Sequence, residues 1–109
     1  MNPLLSTYLV DVQHPDVSGA EQLQMLSTRD QIAALESSLT SEERTYLNEA
    51  DRHLIERTAA FYAELPRFVD LPEHRLEHGI DPARWWWYLD VIRQLPLEST
   101  PPAPLLKAG

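Results

Sequence analysis

Asp81–Pro96 reads DPARWWWYLDVIRQLP and contains all three tryptophans of the chain. Asp81 suits the N-cap of a helix, and Pro82 suits the first helical position, where its missing N–H costs nothing. Pro96 ends the run, because the residue before a proline is pushed out of the helical region. On a wheel of 3.6 residues per turn, Trp85, Tyr88, Leu89 and Ile92 share one face, with Trp87 and Val91 flanking it. That stripe is predicted to face a core. Trp86 falls outside it, on the side of Asp90 and Arg93. Two readings of Trp86 stand side by side. It packs beneath a loop or the proline-rich tail, or it is an exposed anchor for a partner, with Trp87, Asp90 and Arg93 around it.

The chain in which this stretch sits has 109 residues, enough for one domain with its own core. With no cysteine, disulfides, thiolate zinc sites and cysteine catalysis are excluded. No apolar run approaches the roughly 20 residues that span a bilayer. The start, MNPLLSTYLVDVQHP, lacks basic residues ahead of its apolar part and is not read as a signal peptide. A cytoplasmic protein is the expectation. The net charge of −8 disfavours phosphate backbones and anionic membranes, while leaving a basic protein partner open. Eight of the nine basic residues are arginine, a ratio for which the sequence alone offers no structural reason.

The remaining segments are read by caps and periodicity. Asn2 and Pro3 open a helix over 2–13 that carries Leu4, Leu5, Tyr8, Leu9 and Val12 on one face. Thr7, Tyr8, Val10 and Val12 also favour a strand, and that reading would let the segment pair with a partner. Ser18 and Glu21 have capping-box spacing and start a helix from Gly19 towards Ser38. Its apolar pattern is split: Leu23 and Leu26 lie on one side, Met25, Ile32, Leu35 and Leu39 on another. Thr28 with Gln31 also has capping-box spacing, so either one helix is buried on two sides or a short helix ends near Ser27 and another begins. Thr40 and Glu43 form a second box, predicting a helix from Ser41 to about Leu65. At 1.5 Å per residue that helix would run roughly 37 Å and be the spine against which the tryptophan helix packs. In 66–80, Phe68, Val69 and Leu71 are expected across the core, and a short helix from Pro72 is expected to end at a left-handed Gly79. Leu97–Gly109, with Pro101, Pro102 and Pro104, reads as a flexible proline-rich tail.

One motif has the spacing of a metal site. His74-Arg75-Leu76-Glu77-His78 spells HxxEH, which on a helix sets two imidazoles one turn apart with a carboxylate beside them. Over these five residues the chain resembles the inverted zinc-peptidase motif, which implies His74 and His78 as metal ligands and Glu77 as general base. That family also needs a downstream carboxylate ligand and a large scaffold, and only Asp81, Asp90 and Glu98 follow here. No phosphate-cradling glycine loop, GxSxG or di-iron ExxH pattern occurs.

These readings converge on an all-α protein, a small irregular or orthogonal bundle of three to four helices over 1–96 with the tail at 97–109. The expected function is a non-catalytic, acidic helical module for protein–protein interaction: an adaptor, regulator or assembly subunit. No enzyme activity, cofactor, nucleic acid or membrane is expected. The partner is another protein or a second copy of the chain. The alternative is a metal-binding protein or metal-dependent hydrolase built on His74, Glu77 and His78.

Overall fold

The computed structural model describes residues 1–95, and the proline-rich segment lies outside them. Among the described residues every regular element is helical. Six α-helices run in order: α1 Pro3–Asp11, α2 Gly19–Leu35, α3 Ser41–Glu56, α4 Thr58–Tyr62, α5 Leu71–His78 and α6 Leu89–Ile92. Three 3-10 turns, Glu36–Ser38, Leu65–Arg67 and Trp85–Tyr88, lie between them. The count exceeds the three to four expected, because elements that read as continuous in sequence are divided in space.

The start signals act as their chemistry requires. Asn2 Oδ1 accepts from the backbone N–H groups of Leu4 and Leu5, so the first segment is helix rather than strand. Ser18 caps α2 by accepting from the Glu21 N–H at 3.3 Å. At α3 the box is reciprocal: Thr40 Oγ1 accepts from Glu43 N–H at 3.1 Å, and Glu43 Oε1 accepts from Thr40 N–H at 3.0 Å. The other Glu43 oxygen accepts from the Asn2 N–H at 2.8 Å, tying the N-termini of α1 and α3 together. These two backbone donors hold the Glu43 carboxyl below its ordinary pKa. Asp70 caps α5, and Gly79 closes it in the left-handed conformation at φ 57°. The Ile80 N–H then reaches back to the Arg75 carbonyl, and the Ile80 side chain is buried.

Two long expectations fail for local reasons. The predicted spine stops at Glu56, because Arg57 leaves the helical region at φ −113°, ψ 27°. Thr58 is buried there, and its hydroxyl donates to the carbonyls of Leu54 at 3.1 Å and Ile55 at 2.6 Å. A side-chain donor that takes these carbonyls competes with continuation of the backbone ladder. Phe68, expected in the core, is 51% exposed, whereas Leu71 is buried as expected.

The central element is α2 rather than α3. It packs against α1, α4 and the 3-10 turns at 65–67 and 85–88, while α6 packs on α4. Burial on several sides explains its split apolar pattern, since Gln22, Met25, Leu26, Thr28, Arg29 and Ile32 are all buried. At its first residue the backbone of 64 comes very close: a Cβ on Gly19 would stand 2.3 Å from the Glu64 carbonyl oxygen. Only glycine fits that contact.

Candidate functional site

The tryptophan stretch begins with a turn that the 3.6-residue wheel misplaces. Asp81 accepts from Ala83 N–H at 2.7 Å in a short turn, and the helical conformation starts only after Arg84. Trp85–Tyr88 is then a 3-10 turn, with about three residues per turn, so Trp85 and Tyr88 eclipse on one side. Both are half-buried, whereas Trp86 and Trp87 are each 3% exposed. Of the expected core stripe, Leu89 alone is fully buried.

What draws the two inner tryptophans in is a carboxylate on α2. Asp30 Oδ1 accepts from the indole N–H of Trp86 and of Trp87, each at 2.8 Å. The same oxygen accepts from Arg84 Nε at 3.2 Å, and Oδ2 accepts from Arg84 Nη2 at 2.8 Å. A buried indole needs an acceptor, and one carboxylate serves both. One position earlier on α2, the Arg29 guanidinium lies 4.2 Å from the Trp86 ring centre and forks onto Asp51 of α3, with both contacts at 3.0 Å. Tyr8 of α1 donates to the same Asp51 oxygen at 2.6 Å. Burial foremost, with Asp51 beside it, drives the Tyr8 hydroxyl far above its ordinary pKa. A polar chain therefore runs Tyr8, Asp51, Arg29, Trp86, Asp30, Trp87 through α1, α3, α2 and the 85–88 turn.

A second fork fixes α6. Arg75 donates to Asp90 at 2.6 and 3.2 Å and to the Trp87 carbonyl at 2.9 Å, and its guanidinium stacks 4.3 Å from the Tyr88 ring centre. Here the arginine excess finds a physical account. Arg29, Arg75 and Arg84 each grip an aspartate with a planar fork, and Arg29 and Arg75 also lie over aromatic rings, geometries that a lysine ammonium does not reproduce.

These positions correct the residues named from sequence. Trp86 and Trp87 lie in the interior, bound to Asp30, and Asp90 is half-buried on Arg75. Arg93 is exposed, 5.1 Å over the Tyr62 ring. The four do not form an open patch. In the HxxEH motif, His74 and His78 are adjacent, with ring centres 4.3 Å apart, and His74 stacks on Trp87 at 4.6 Å and 25°. Glu77 is exposed and does not join them: among the described residues no group of three or more His, Asp or Glu is placed to hold a metal. The two imidazoles meet without that third ligand because Glu77 lies on the exposed side of the helix.

Two open concavities among the described residues lie instead around the C-terminal end of α1. A groove of about 270 Å³ between α1 and α3 has Leu9, Val12, Tyr46 and Ala50 with Gln13, Glu49 and His53. Beside it a notch of about 150 Å³ is lined by Asp11, His14, Val17, Glu21, Gln22 and Met25. Burial, with the Glu21 charge second, raises the Asp11 carboxyl above its ordinary pKa, while His14 opposes that shift. Two carboxylates thus share the notch with only partial compensation. Sequence reasoning passed over Arg29 and Asp30. Their one signal was an Arg-Asp pair in the middle of α2, where the apolar pattern broke.

Compared with known proteins, the chain matches no family model, no curated protein and no solved structure. None of the described helices is long and apolar enough to cross a membrane.

Proposed function

We propose that the protein is a non-catalytic interaction module that takes a basic segment of another protein at the C-terminal end of α1. The observation that carries this reading is the adjacency of an apolar groove and an acidic notch on either side of Asp11–His14. The groove, at about 270 Å³, has room for one or two apolar side chains. The notch beside it offers Asp11 and Glu21, whose mutual repulsion a lysine or arginine from the partner relieves. The last turn of α1 carries no basic residue, and its helix dipole adds negative potential at the same place.

The distribution of charge supports the same partner chemistry. Arg29, Arg75 and Arg84 pair with Asp51, Asp90 and Asp30 within the protein, so those charges cancel and the net charge of −8 is carried by the remaining residues. Tyr46, 37% exposed on the groove wall, replaces Trp86 as the aromatic contact.

Photo-crosslinking tests the reading. A benzophenone side chain in place of Tyr46, in cells that express the protein natively, is expected to give one discrete heterologous adduct. That adduct should vanish with Asp11→Lys and persist when the crosslinker sits at Ala60 only as background. An adduct at twice the chain mass would replace the heterologous partner with a second copy. No specific adduct at Tyr46 would end the proposal.

A further inference from the structure

The pair His74 and His78 carries an inference independent of the interaction surface. We propose that these two imidazoles, without Glu77, form a chelate for a transition-metal dication of tetragonal preference, of the copper(II) or nickel(II) class.

A metal about 2.0–2.1 Å from an imidazole nitrogen stands about 3.2 Å from the ring centre. Two such rings meeting at a right angle have centres about 4.5 Å apart, and at a tetrahedral angle about 5.2 Å. The observed separation is 4.3 Å, with the ring planes tilted by 41°. With one nitrogen of each ring turned to a shared ion, that spacing corresponds to the right angle of a tetragonal ion rather than the wider angle zinc prefers.

The surroundings favour binding. His78 is exposed, so the metal keeps an open side for water ligands. His74 is held in place by its stacking on Trp87, so part of the ordering entropy is already spent before the ion arrives. The backbone beneath is a helix fixed at both ends by the Asp70 cap and Gly79. His14 lines the notch and His53 the groove, each as the sole imidazole there, so neither competes as a pair.

Copper(II) ion alone is the probe, titrated into the full chain in a weakly coordinating buffer. A 1:1 saturable quench of tryptophan emission is expected at micromolar copper, because the ion sits one imidazole away from Trp87. His78→Gln should weaken binding by roughly tenfold or more without altering the helical circular dichroism. His14→Gln and His53→Gln should leave the affinity unchanged. Electron paramagnetic resonance should report two nitrogen ligands in the wild type and one fewer in His78→Gln. The inference is overturned if no saturable quench occurs below about 100 µM, or if His78→Gln binds as tightly as wild type.

Discussion

Replacing Asp30 by alanine should expose how much of the fold depends on one carboxylate. The substitution leaves the indole N–H groups of Trp86 and Trp87 without an acceptor, in side chains that are each 3% exposed. A stranded buried donor costs about 1–3 kcal/mol, so the pair costs about 2–6 kcal/mol. The Arg84 fork adds less than about 1 kcal/mol, since Arg84 is 38% and Asp30 27% exposed and solvent screens them. Against a total stability of roughly 5–15 kcal/mol, this is a large fraction. Asp30→Asn separates the two contributions. Its carbonyl oxygen still accepts from both indoles, so it should lose less than half of what alanine loses. Urea unfolding followed by tryptophan emission and by far-ultraviolet circular dichroism measures both variants. A loss below about 1 kcal/mol for Asp30→Ala, at unchanged slope in urea, would refute the assignment of Asp30 as the shared acceptor.

Other consequences follow from single contacts. Gly19→Ala drives a methyl group to within 2.3 Å of the Glu64 carbonyl oxygen, so α2 and the 65–67 turn must separate. A loss of about 1–3 kcal/mol in thermal or urea unfolding is expected, despite the better helix propensity of alanine. Tyr8 gives a pH dependence with a definite sign. Its folded-state pKa is raised, so the native state keeps the proton that the unfolded chain releases near 10.0. Its contribution is therefore complete below that pH and declines above it, by up to about 1.4 kcal/mol per pH unit. Unfolding midpoints measured from pH 8 to 11 should fall more steeply for wild type than for Tyr8→Phe, and parallel curves would contradict the burial of that hydroxyl against Asp51.

Much of the local structure was legible in the residues because it depends on near neighbours. Asn2, Ser18, Thr40 and Asp70 stand where caps form, and Gly79 closes its helix as its freedom at positive φ allows. The all-helical class follows from those signals and the spacing of apolar residues. Tertiary contacts decided the rest. Thr58 ends α3 because its hydroxyl is buried against the Leu54 and Ile55 carbonyls, and nothing in a helical wheel records burial. The inner tryptophans turn inward because an aspartate more than fifty positions earlier lies within 2.8 Å of both indoles. Periodicity reports which residues share a face of one helix. It carries no information about which distant carboxylate that face will meet, and a hydrogen bond made across the fold outweighed the local pattern at Trp86.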